Sequence, residues 1–223
     1  MTKRFADLKK IHQAPAAKLL AEANTKLETK LDLPASASVE KVLIALEEAD
    51  AGLDMIKLLS FALPPREGAW WACLAARDII GEDQERTNCM ATAEAWVFKP
   101  SDETREAARH AAEIADADDE TNLCAVAVAM CDGKLGVGEM QNYDAPPGAS
   151  GMAVYGQCML ALGHAGDDFE DHAQFLIERA LDIARGGSGK VEPPPPRPKP
   201  EPEPIPDEDD EEDPDIDADD TNG

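Results

Sequence analysis

The sequence predicts an all-α fold, an irregular helical bundle or an array of antiparallel helical hairpins. Three observations predict it. Between positions 38 and 187 apolar residues recur at three- and four-residue spacing, one face of a helix at a time. Proline, glycine and short hydroxyl or acidic residues fall between those stripes, where helices start and stop. From 190 onward the chain turns proline-rich and then acidic, and almost nothing is left there to pack. Three segments follow: a charged, partly helical stretch over 1–37, an all-helical domain over 38–189, and a disordered tail over 190–223.

Each element has a local reason. Pro15 opens a short helix through Ala16–Ala23, because proline suits a first turn. Ser38 is a helix cap, and Val39, Val42, Leu43, Leu46 and Ala49 make the stripe behind it. Asp50-Ala-Gly52 breaks that helix. Leu53, Ile56, Leu59, Phe61 and Leu63 form the next, and Pro64-Pro65 stops it. A helix rich in small residues then carries Trp70-Trp71. Cys89, Met90, Ala93, Trp96 and Val97 predict another, and Lys99-Pro100-Ser101 both ends it and caps a helix with an alanine face at 108, 111, 112 and 115. Leu123–Cys131 is apolar on all sides and reads as a central helix. A loop spans Asp132–Gly148. Met152, Tyr155, Met159 and Leu162 are the expected buried stripe of the next helix. Asp167 with Glu170 has the form of a capping box for the last one, which Gly186-Gly187 ends.

The chain has 46 acidic and 21 basic residues, a net charge of −25 over 223 residues. A nucleic-acid-binding surface needs the opposite sign, as does adhesion to an anionic membrane. The charge is uneven: Val191–Gly223 holds 14 acidic and 2 basic residues. Glu192–Pro204 should be extended polyproline, and ordering each tail residue costs about 1–2 kcal/mol that two isoleucines do not offset. Five cysteines, odd in number and set in apolar segments, read as reduced core residues. No apolar run nears the ~20 residues of a membrane span. The first ten residues lack the apolar stretch of a secretory signal. The expectation is a cytoplasmic protein.

Several constellations invite chemistry. His164, Asp168 and His172 are the sharpest metal candidates, but a glycine lies between the histidines and His172 fits an apolar stripe. Cys124 and Cys131, seven apart, read as paired small core residues without a Cys-x-x-Cys. Gly133, Gly136 and Gly138 lack the context of a phosphate loop. Asp116, Asp118, Asp119 and Glu120 lack the spacing of a calcium loop and read as a solvated turn. Trp70-Trp71 is the unusual feature. Adjacent helix positions point about 100° apart, so both indoles are buried only if the helix is covered on a wide arc. The alternative is that one indole reaches a groove as a partner anchor, rimmed by Arg66, Glu67 and Arg77.

Leu63–Arg77, with its Pro-Arg-Glu and Trp-Trp-Ala elements, resembles an uncharacterised all-helical family of proteobacterial proteins. So do Trp96-Val-Phe-Lys-Pro100 and Leu181–Gly186. The resemblance covers about 38–187. It implies an accessory role near type VI secretion genes and brings no catalytic residue and no cofactor. The function expected is therefore a non-enzymatic adaptor, scaffold or chaperone-like protein. Its partner is a protein, and the acidic tail favours one with a basic surface. Two alternatives stand beside it: a small metal-dependent enzyme using His164, Asp168 and His172, and an acidic nucleic-acid mimic that occupies a basic protein.

Overall fold

The computed structural model describes residues 3–81, 83–136 and 138–193. Among them are nine α-helices, two 3-10 turns and no strand, so the all-α class holds. Of the expected tail, 194–223 lies outside the described residues. Among the described residues no helix is long and apolar enough to cross a membrane.

The punctuation works largely as the residues dictate. α1 (Ala16–Glu22) starts behind Pro15. α2 (Val39–Glu48) is capped by Ser38, whose hydroxyl accepts the Lys41 amide, and it buries Val39, Val42, Leu43 and Leu46. Asp50 turns the chain at φ +52° before α3 (Gly52–Ala62). Pro65 is the first residue of α4 (Pro65–Ile80), where its missing N–H costs nothing. Thr87 caps α5 (Asn88–Phe98). Ser101 and Thr104 form a reciprocal capping box on α6 (Asp102–Ile114). α7 (Asn122–Ala129) is the apolar segment, and it is helical. α8 (Ala149–His164) and α9 (Phe169–Arg185) complete the body, and Gly186 ends α9 in the left-handed region at φ +102°.

Two cores meet on α4. Trp71, Ala72, Leu74 and Ala75 join the larger core with residues of α1, α2, α3, α8 and α9. Ala69, Cys73 and Ala76 join the smaller one, with α5, α6 and α7. α4 packs directly on α5, α7, α8 and α9. The N-terminal stretch is part of the larger core: Phe5, Leu8, Ile11, Ala16, Leu20 and Ala23 are all buried in it. Backbone bonds fasten that stretch, from the Lys10 amide to Ala184 O (2.7 Å) and from the His12 amide to Ala62 O (2.9 Å).

Three expectations fail. The Met152–Leu162 stripe is only the margin of the packed face of α8: Leu162 is buried, Tyr155 and Met159 are half-buried against the core, and Met152 is exposed. The packed face is Ala153, Val154, Gln157, Cys158, Ala161 and Leu162. Small residues win because α8 lies close against α4 and α3; a Cβ on Gly151 would stand 2.6 Å from the Phe61 ring. Asp167 and Glu170 form no capping box. A 3-10 turn over Gly166–Asp168 leads into α9 instead, with Asp168 at the cap position and no side-chain cap bond. Cys124 and Cys131 are not paired: Cys131 lies beyond the end of α7 and is half-buried, while the Cys124 thiol faces Ala72 O and Gln157.

Glycines in α8 therefore differ in sign. Gly163→Ala has open space around its Cβ and should stabilise by about 0.5–1 kcal/mol through helix propensity. Gly151→Ala should destabilise by about 1–3 kcal/mol through overpacking against Phe61 and Ser60 O. Urea unfolding of both variants decides it, and equal effects would refute the close α3–α8 approach.

All five cysteines are free. Burial, reinforced by Asp119, pushes the Cys89 thiol up to about 12. Burial also raises Cys124 and Cys158. Cys131 is raised by burial too, but Arg105 opposes the shift. Cys131 is also the one cysteine that is not buried, so a thiol reagent near neutral pH should label it first. Rapid labelling of Cys89 or Cys158 in the folded chain would contradict this.

Candidate functional site

Trp70 and Trp71 part company on α4. Trp71 is fully buried in the larger core, and its indole N–H has no hydrogen-bond partner among the described residues. Trp70, one position earlier, is half-buried at the seam where α4, α5 and α9 meet. Its ring lies 5.7 Å from that of Phe98, tilted by 59°. Phe98 is the last residue of α5 and is 69% exposed. An apolar ring left so far in water beside a second aromatic is the kind of patch that anchors a partner.

These two rings form one wall of a groove of about 560 Å³. Leu74, Arg77 and Asp78 of α4, Phe175 and Arg179 of α9, and Gly189, Lys190, Val191 and Pro193 also line it. The first residues of the expected tail are thus against the body.

Charged pairs hold the polar part of the groove in place. Glu94 of α5 is buried at 6% exposure and receives two arginines: Arg77 Nη2 at 3.0 Å and Arg86 Nε at 2.6 Å. Asp78 accepts Arg179 Nη1 at 2.5 Å. The same Arg179 donates to Leu74 O at 3.2 Å and stacks 4.0 Å over the Phe175 ring. Its Nε is buried without an acceptor among the described residues. His172 Nε2 lies 3.3 Å from Asp78, at ion-pair distance but outside hydrogen-bond geometry. Removing one member of such a buried pair strands its partner, which typically costs about 3–5 kcal/mol.

Of the residues proposed from sequence, the structure brings Trp70 and Arg77 together in this groove. It does not bring the other three. Trp71 faces the core because its position on α4 points roughly 100° away from Trp70. Arg66 donates to Val97 O at 2.7 Å and ties α4 to α5. Glu67 pairs with Lys10 at 2.8 Å and holds the N-terminal stretch. Phe98, Glu94, Phe175 and Arg179 were missed. Glu94 and Arg179 carried a signal: each is a charge set within an apolar helix stripe, which a buried pair would explain.

His164, Asp168 and His172 do line one cavity of about 440 Å³, next to the groove and sharing Phe175 and Pro193 with it. His164 Nε2 is 2.7 Å from Glu120, whereas His172 Nε2 faces Asp78 at 3.3 Å without a hydrogen bond among the described residues. Among the described residues no group of three or more His, Cys, Asp or Glu is placed to hold a metal ion. In the 116–120 turn, Asp119 accepts the Thr121 amide and hydroxyl, at 2.9 and 2.6 Å. It is a structural turn.

The two indoles should separate in a stability measurement. Trp71→Ala is expected to cost about 3–5 kcal/mol, the range for truncating a buried aromatic. Trp70→Ala, losing half-buried area and one hydrogen bond, should cost about 1–2 kcal/mol and keep the native far-UV spectrum. Urea unfolding of both tests this, and equal losses would mean that Trp70 is core as well.

No curated protein and no solved structure matches the chain. One family model does match, over residues 42–184, a span that takes in α4, α5 and α9 with the aromatic walls of the groove. The chain belongs to DUF6931, a family of unknown function.

Proposed function

We propose that this protein is a non-enzymatic helical adaptor or chaperone-like accessory protein that docks an extended protein segment in the Trp70 groove. The Trp70–Phe98 pair carries the reading, with Phe98 69% exposed beside a half-buried indole. Tryptophan and arginine dominate binding hot spots, and here both line one groove. The tail adds charge, 14 acidic against 2 basic residues over Val191–Gly223, which speeds encounter with a basic partner. Five free thiols support a reducing compartment, the cytoplasm. The setting, an accessory of bacterial type VI secretion, rests on the resemblance of Leu63–Arg77, Trp96–Pro100 and Leu181–Gly186.

A photo-crosslinking residue at Phe98 of the full chain tests the groove in cells. A discrete crosslinked partner is expected, lost when Trp70→Ala is added. No crosslinked partner, or one that Trp70→Ala leaves unchanged, overturns the groove as the docking site. With the partner in hand, its association rate should fall steeply as salt rises, because screening shortens the reach of the tail's charge. A salt-independent rate would remove the tail from the mechanism.

A further inference from the structure

The chain's own strap Ser188–Pro193 closes one side of the groove: Gly189, Lys190, Val191 and Pro193 line it, and Ser188 O takes the Trp70 indole N–H. Local chemistry aims the strap there. After α9 ends at Gly186, the Gly187 amide donates back to Asp182 O at 2.8 Å. The Gly189 amide donates to Asp182 Oδ2, also at 2.8 Å. Gly189 is buried at φ +73°, and a Cβ there would stand 2.6 Å from Leu74 Cδ1 and 2.9 Å from Ile183 Cδ1. Only glycine lets the strap come this close. Trp70 Nε1 then donates to Ser188 O at 2.7 Å. Val191 is half-buried farther along, and Pro193 is placed where the groove meets the neighbouring cavity.

An aromatic-lined groove that meets an extended, proline-bearing chain, with an indole N–H given to a main-chain carbonyl, is a general mode of peptide recognition. We propose that Ser188–Pro193 is a built-in competitor for the groove. The partner segment has the same chemistry and enters by displacing it. That segment offers a carbonyl to Trp70, a glycine over Leu74 and Ile183, an apolar residue two positions on, and a proline toward Phe175. The hold on the strap is small enough for exchange: one side-chain bond each from Trp70 and Asp182, a buried glycine and a half-buried valine, with Glu192 and Pro193 exposed. Tethering gives the strap an effective concentration that a partner must exceed, so it sets a threshold for binding. The proposal rests on the groove being the docking site.

The test uses the full chain throughout. Gly189→Val expels the strap by strain and overlap while leaving the side chains of α4, α5 and α9 unchanged. Val191→Asp is the second variant, should Gly189→Val not retain the far-UV spectrum. The probe is a fluorescent synthetic peptide of residues 187–200, followed by anisotropy. It should bind the strap-expelled chain at least tenfold more tightly than the wild type. Adding Trp70→Phe, which keeps a ring but removes the N–H donor, should weaken that binding at least fivefold. The Trp70 indole proton resonance should shift in Gly189→Val and return as peptide is added. Equal binding to both chains, binding to neither, or a wild-type dimer held by strap exchange overturns the competitor. The Phe98 crosslink separates the two readings. Capture that rises in Gly189→Val supports the competitor, and equal capture in both chains overturns it alone. Absence from both removes the groove reading as well.

Discussion

The fold depends on enclosing α4. A helix with adjacent tryptophans cannot bury both against one neighbour, because their directions differ by about 100°. Trp71 takes the larger core, at full burial. The other side of α4 carries Ala69, Cys73 and Ala76, small enough for the smaller core to close against it. With these two sides covered, Trp70 falls at the boundary between α5 and α9. It is half-buried there because the two cores meet on the helix without covering its whole circumference. The groove follows from that seam.

Electrostatics then decides what the seam is like. The protein as a whole is strongly acidic, at −25. The groove reverses the balance, with Arg77, Arg86, Arg179 and Lys190 against Asp78 and Glu94. Buried ions are tolerated only when paired, and here each carboxylate is met by a guanidinium. The pairs are also mechanical. Arg77–Glu94 joins α4 to α5, and Asp78–Arg179 joins α4 to α9, so each wall of the groove is fastened to the central helix. Stacking of Arg179 on Phe175 orients the α9 side of the groove.

The parts of this arrangement that local chemistry controls were legible in the sequence. Ser38, Ser101 and Gly186 act at the ends of their helices as their residue types require, and the stripe Cys89–Val97 is buried as its spacing implies. α8 was misread because methionine and tyrosine outweigh alanine in any apolar pattern. The packed side was instead set by how near α3 and α4 could come. Phe5, Leu8 and Ile11 were unreadable as core for another reason. They lie in a charged stretch of turns, not in a helix, and that stretch is held by backbone bonds to distant carbonyls such as Ala184 O. In the groove, Trp70 and Arg77 could be named from sequence because both lie on α4. Phe175 could not, and the buried charge of Arg179 gave no hint of its partner, since only the tertiary path of α9 brings both to the groove.

The strap gives the two unusual features of the sequence, the paired tryptophans and the acidic tail, a common physical basis. The residues that lead into the tail are held by Trp70 and Asp182. The acidic run begins at Asp207, fourteen positions after Pro193. A segment that prefers the strap-free groove therefore changes what anchors the acidic run. By linkage, anything that engages the acidic run and pulls the strap away must favour the groove's ligand by the same factor. Charge and groove are then two inputs to one equilibrium. Its balance point is set at Gly189, where the absence of a single Cβ allows the closed form to exist.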